Sequence, residues 1–184
     1  VQTVTALARL EAPKHLRAHP PVQVEVIERG DFERPSGRRF GALVHALLAS
    51  IDLNAGADAI QASAAINGRL VGAIEEEIKA AIVTVCAALR HPILQRAAAS
   101  ARKGELRRET PVLLALDDGS LVEGVVDLAF REDTSDFIGW TVLDFKTDRE
   151  FTTSSDRYTA QVSFYSEAVQ AATGLLSQGI VLVV

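Results

Sequence analysis

The sequence predicts an α/β domain: a mixed central β-sheet flanked by helices, with an N-terminal helical portion. Two observations carry this. Before residue 100, apolar residues recur at three- and four-residue steps, the spacing of helix faces. Beyond Gly104 the period shortens to that of strands, and one more helical stretch then leads into the apolar run Val181-Leu182-Val183-Val184. Helices, a three-strand meander, a helix and a strand is the element order of α/β folds with mixed sheets.

Residues 1–36 read as a linker from a preceding region, and residues 37–184 as the domain proper. Within the linker, Val22 to Ile27 alternates like a strand, but Pro20-Pro21 and Arg34-Pro35-Ser36-Gly37 flank it, so an edge position is expected. Phe40, Leu43, Val44, Leu47, Leu48 and Ile51 make one apolar helix face. Asn54 to Asn67 is small and polar and is expected to be a loop with a short helical turn. A long helix is expected from about Arg69 to Arg90, with Ile74, Ile78, Ala81, Ile82, Val85 and Leu89 inward and Glu75-Glu76-Glu77 on its solvated face. His91-Pro92 opens a short helix through about Ala99, because proline suits a first helical turn.

Strands are expected over Glu105–Leu116 and Leu121–Arg131, joined by a hairpin at Asp117-Asp118-Gly119-Ser120. A third runs from Ile138 to Lys146. Asp156 to Thr173 reads as a helix stopped by Gly174, and Gly179 to Val184 as the last strand.

Composition narrows the class. The chain has 184 residues, 48% hydrophobic and 23% charged, which excludes disorder and suits one domain. No stretch has the length of uncharged apolar sequence that a membrane span needs, and no signal peptide is evident. Cys86 is the single cysteine, so an internal disulfide, a cysteine zinc cluster and a four-cysteine iron–sulfur site are excluded, and a cytoplasmic location is expected. With no methionine in it, the chain is expected to be a piece of a longer polypeptide.

Two strand positions stand out chemically. Asp127 falls within the apolar run Gly124-Val125-Val126-Asp127-Leu128, and Asp144 and Lys146 end the run Val142-Leu143-Asp144-Phe145-Lys146. Residues two apart on a strand share a face, so Asp144 and Lys146 project together. A buried carboxylate is costly unless it is paired or binds a metal. An isolated Asp-x-Lys is most simply an ion pair at a sheet end. Three further features add weight: Glu109 in Arg107-Arg108-Glu109-Thr110-Pro111, His45 on the apolar side of the first helix, and Gln161 with Tyr165 one helical turn apart.

In order, Gly-x-x-x-His, Glu-x-Pro, Gly-x-x-Asp, Asp-x-Lys-Thr-Asp and Gln-x-x-x-Tyr resemble the RecB-type branch of the PD-(D/E)XK nucleases. The match is nearest to the C-terminal nuclease domain of bacterial AddA-type helicase–nucleases, and it covers about Gly37 to Val184. The resemblance implies a restriction-endonuclease-like core and a Mg²⁺-dependent deoxyribonuclease, with Mn²⁺ as an alternative ion. It implies His45, Asp127, Asp144 and the carbonyl of Phe145 as metal ligands, and Lys146 orienting the attacking water and neutralising transition-state charge. Glu109 would support the site or a second metal, and Gln161 and Tyr165 would contact the DNA backbone. One departure is Ala42, where relatives often carry a threonine. The implied process is exonucleolytic processing of double-strand-break ends for recombination repair. DNA, a helicase region of the same parent chain and an AddB-type subunit are the implied partners. No Walker A motif occurs, so ATP would be used only in that absent helicase region.

The net charge of −5 is unusual for a DNA-binding chain, but distribution matters more than the sum. From Arg90 to Arg108, six basic residues face Glu105 alone. Arg102, Lys103 and Arg107 are therefore expected to guide the phosphate backbone, with Arg149 and Arg157 on the far side. A free-standing nuclease and a catalytically inactive nuclease fold that guides DNA or docks a subunit remain as alternatives.

Overall fold

The computed structural model describes residues 2–3, 22–27, 35–147 and 151–184. The elements in chain order are β1 (Gln2–Thr3), β2 (Gln23–Val26), α1 (Arg38–Ser50), α2 (Ala57–Val71), α3 (Glu75–Arg90), α4 (Pro92–Ala101), β3 (Leu106–Ala115), β4 (Leu121–Asp133), β5 (Ile138–Lys146), α5 (Phe151–Thr173) and β6 (Ser177–Val183). Six strands form one mixed sheet. β3, β4 and β5 pair antiparallel, and β6 lies parallel to β5 across the α5 crossover. β2 pairs parallel with β6 at the edge, as its flanking prolines suggest, and β1 pairs parallel with the start of β4.

The sheet is the middle of three layers. Leu128, Phe130, Leu143, Phe145, Ile180 and Leu182 point into a core shared with Phe40, Leu43, Leu47, Val85 and Leu94 of α1, α3 and α4. The alternate residues Val126, Ala129 and Val142 meet Phe164, Tyr165 and Ala168 of α5, while Val181 and Val183 meet Tyr158 and Val162. Strands covered on both faces read as continuous apolar runs, as β5 and β6 do.

Local chemistry explains most boundaries. His91 caps α4 through Nδ1, which accepts the Ile93 N–H at 3.4 Å, and Pro92 takes the first helical position. Gly119 supplies the left-handed backbone (φ 81°) of the β3–β4 hairpin, where Asp118 Oδ1 accepts the Ser120 N–H at 2.8 Å.

Four expectations need correction. Asn54–Asn67 is not a loop: most of it forms α2, whose buried stripe is Ile60, Ala64 and Gly68. With only Ile60 large, the small residues Ala64 and Gly68 continue the stripe without a visible hydrophobic period, and alanine has the highest helix propensity. The long helix from Arg69 is broken at Gly72, a left-handed C-cap (φ 68°), and restarts at Glu75. Ile74, expected inward, is more than half exposed. Glu77, expected in solvent, is buried; its Oε2 accepts the Ile74 N–H at 3.0 Å and the Arg39 Nε–H at 2.7 Å. Its charge is consumed in starting α3 and tying it to α1.

Candidate active site

The antiparallel pairing of β4 and β5 ends at Leu128–Leu143, although both strands continue. On the same side of β4, β1 pairs only with Val122 and Glu123. Among the described residues, the β4 edge from Gly124 to Asp127 therefore has no strand partner on this side, between β1 and β5. A cleft of about 640 Å³ occupies this fork, lined by Gly124, Val125, Asp127, Asp144, Lys146, Gln161 and Tyr165 among others.

β3 and β4 change faces at the same place. Thr110 pairs with Val126 and Arg108 with Leu128, but Glu109 and Asp127 between them make no pair. Glu109 has φ 45°, the one non-glycine positive φ among the described residues. Across this step the core-facing parity inverts: Val122 and Val126 face α5, whereas Leu128 and Phe130 face the helical layer. Such backbone costs on the order of 1 kcal/mol or more and persists where surrounding structure enforces it. Asp127 sits at the inversion, within reach of both layers.

Asp127 Oδ2 accepts the Phe145 N–H at 2.8 Å and lies 3.5 Å from His45 Nδ1. The His45 ring meets the Phe145 ring edge-on at 6.2 Å. α1 can bring His45 here because Gly41, one turn earlier, has no side chain: a Cβ there would lie 2.9 Å from Thr147 Oγ1. Burial disfavours the His45 imidazolium, but the contact and charge of Asp127 and the charge of Asp144 outweigh it, so its pKa is raised.

Asp144 is 2% exposed on the α5 face of β5. Its Oδ2 lies 2.5 Å from Lys146 Nζ, yet no hydrogen-bond donor is aligned on that buried oxygen. Burial lifts its pKa to about 6; Lys146 opposes this and the charge of Asp127 adds to it. Glu109 is exposed beside the fork, its pKa raised by partial burial and by Asp127.

Gln161 and Tyr165 do share a face, and Gln161 Nε2 donates to Tyr165 Oη at 2.8 Å. Tyr165 is buried, which pushes its hydroxyl up to about 12. α5 packs this closely because Gly179 of β6 has no side chain: a Cβ there would lie 2.5 Å from Val162 Cγ1. Sequence reasoning passed over Tyr158, one turn before Gln161, whose ring centre is 4.8 Å from Lys146 Nζ.

The fork thus gathers His45, Glu109, Asp127, Phe145, Asp144, Lys146, Gln161 and Tyr165 from five elements. Among the described residues, no three His, Cys, Asp or Glu side chains stand as a ready metal cage. Instead, Asp127 is held by the Phe145 N–H, and Asp144 lies in ion-pair contact with Lys146. The donor set still fits a divalent cation. Two carboxylates repel across the fork, one has a buried oxygen with no aligned donor, and hard oxygen ligands suit Mg²⁺ or Mn²⁺.

The expected basic path is only partly free. Arg108 is half-buried, and its Nη1 donates to Ala49 O at 3.0 Å and Ile51 O at 2.6 Å, closing the end of α1. Arg96 lies 3.5 Å from the buried Glu132. Arg102, Lys103 and Arg107 are exposed; Arg102 reaches Asn54 Oδ1, and Arg107 reaches the carbonyls of Gly104 and Leu106. Arg149 lies outside the described residues. No helix among the described residues is long and apolar enough to cross a membrane.

No curated protein matches the chain. The family model of the PD-(D/E)XK nuclease superfamily matches residues 14–183, nearly the whole chain, and its range takes in the carboxylates of the fork. Family match and mixed α/β sheet agree: the chain belongs to the PD-(D/E)XK nuclease superfamily.

Proposed function

We propose that this domain hydrolyses phosphodiester bonds of DNA with a divalent metal ion. The observation that carries the reading is the fork, where Asp127 and Asp144 face each other past the last β4–β5 pair and Lys146 Nζ lies 2.5 Å from Asp144. Phosphodiester hydrolysis needs a bound phosphate, a nucleophilic water and stabilisation of charge at phosphorus. Asp127, Asp144, His45 and the Phe145 carbonyl would hold the metal, Mg²⁺ or Mn²⁺. When bound, it supplies Lewis-acid polarisation and lowers the pKa of its water.

The protein's own groups do the rest. Lys146, with three N–H donors, orients the water and neutralises developing negative charge. The Phe145 N–H holds Asp127 by one oxygen, Oδ2. Glu109 supports the site or a second ion. Gln161 and Tyr165 border the DNA backbone, and Arg102, Lys103, Arg107 and Arg149 lead it in.

We further propose that the substrate is a single-stranded end cut exonucleolytically. On this reading the domain, residues 37–184, follows a helicase region in an AddA-type chain that works in the cytoplasm with an AddB-type subunit in double-strand-break repair. The motif order from Gly41 to Tyr165 supports this reading.

The test is cleavage of single-stranded DNA with Mg²⁺, Mn²⁺ or EDTA, alongside Asp144→Ala and Lys146→Ala. Metal-dependent cleavage lost in both variants is expected. A second reading, an inactive module that guides DNA or docks a subunit, draws on the absence of a ready cage among the described residues. No cleavage together with no Mn²⁺ binding by calorimetry would select it.

A further inference from the structure

Lys146 has a second neighbour besides Asp144. The ring centre of Tyr158 lies 4.8 Å from Lys146 Nζ, within the range of a cation–π contact. The ring is 5% exposed and packed among Val162, Val181 and Val183. Arg157 braces it: its guanidinium carbon is 4.8 Å from the ring centre, and its Nη2 donates to Tyr158 Oη at 3.0 Å. An aromatic ring packed in the core and braced by a guanidinium is a rigid contact for an ammonium group.

We propose that Tyr158 is a positioning residue that holds Lys146 in place for the reaction. This rests on the nuclease reading of the fork. The physical need is specific. As the fork stands, Asp144 Oδ2 is the anion beside Lys146 Nζ, and a carboxylate that turns its charge to a divalent cation holds the lysine less tightly. A lysine side chain carries about 2 kcal/mol of rotamer entropy, so an unrestrained ammonium would leave its position. The ring supplies a restraint that does not depend on Asp144. It attracts the ammonium through its quadrupole rather than through a lone pair, leaving N–H donors free for water and phosphate oxygens.

Ring and hydroxyl are separable. Tyr158→Phe keeps the π face and loses the Arg157 hydrogen bond; Tyr158→Leu keeps apolar volume and loses the face. Two readouts are used: single-stranded DNA cleavage, and the NMR shifts of the Lys146 Cε protons, assigned by their loss in Lys146→Arg. In the wild type those protons are expected upfield of ordinary lysine values through the ring current, with or without metal, and Tyr158→Phe keeps that shift. Tyr158→Phe is expected to hold kcat within about twofold, whereas Tyr158→Leu lowers kcat about tenfold with KM nearly unchanged.

Ordinary Lys146 shifts in the wild type overturn the proposal, even if Tyr158→Leu fails to fold. So does an unchanged kcat in Tyr158→Leu, or a loss in Tyr158→Phe equal to that in Tyr158→Leu. Absence of metal-dependent cleavage in the wild type is a different failure: it removes the nuclease reading, and the positioning role with it.

Discussion

Asp127 and Asp144 stand one step past Leu128–Leu143, the last pair of β4 and β5, so two carboxylates confront each other where the sheet opens. Asp144 bears the consequence. It is the more deeply buried of the two, and burial with the neighbouring charge lifts its pKa to about 6. Holding two carboxylates together at a buried position costs stability that Lys146 only partly offsets and that removing one charge would recover.

Stability without metal should therefore fall as pH rises. A carboxyl whose folded pKa lies above its unfolded value stabilises the fold fully below the unfolded value, 3.8 here, and that contribution is lost as pH climbs through about 6. His45, raised from 6.5, acts in the same sense at higher pH. In EDTA, urea unfolding should show the wild type losing on the order of 2 kcal/mol between pH 4.5 and 7.5. Asp144→Asn should remove most of that slope and be the more stable protein at pH 7.5, though inactive. Parallel slopes for the two proteins would contradict this account.

Lys146 and the carboxylates should separate by assay. Lys146→Ala is expected to lower kcat by a factor on the order of 10² to 10³, the size of a lost transition-state charge contact, while Mn²⁺ binding by calorimetry persists. Asp144→Ala is expected to lose both. Loss of Mn²⁺ binding in Lys146→Ala would move lysine from charge stabilisation to site assembly.

Gly41 limits how near α1 comes to the end of β5. Gly41→Ala sets a Cβ against Thr147 Oγ1 and should destabilise the domain by about 1–2 kcal/mol, moving His45 and reducing activity. Adding Thr147→Ala should restore more than half of the loss. Thermal unfolding of the four proteins in the cycle decides it, and strict additivity would mean that the two residues do not press on each other.

Arginines of the α4–β3 region should fall into two groups. Arg108→Met, which removes two bonds to the end of α1, should destabilise by about 2 kcal/mol and leave the salt dependence of DNA binding alone. Replacing Arg102, Lys103 and Arg107 together should leave stability nearly unchanged and flatten the log–log salt slope for single-stranded DNA by about two. An unchanged slope in the triple variant would remove the basic path.

Much of the site was legible because chemistry-bearing residues interrupt regular patterns. Asp127 and Asp144 break apolar strands, His45 breaks an apolar helix face, and Asp144 and Lys146 share a face through the two-residue strand period. Glu77 and Ile74 were misread because helical spacing alone does not say where a helix starts; the left-handed Gly72 and the bond from Glu77 to Ile74 do. α2 was missed because its buried face, beyond Ile60, is built of the small residues Ala64 and Gly68, which give little hydrophobic period.

Sequence alone determined the α/β class, the three-strand meander and the candidate site residues, since these follow from local period, turn chemistry and residue type. Tertiary structure decided the rest. The opening of β4 from β5, the strained backbone at Glu109, the burial that lifts Asp144 and the ring of Tyr158 over Lys146 each join residues distant in the chain. Strand period assigns a face but not the step at which two strands part. Burial, and with it the pKa and reach of a charged group, exists only once the layers have packed.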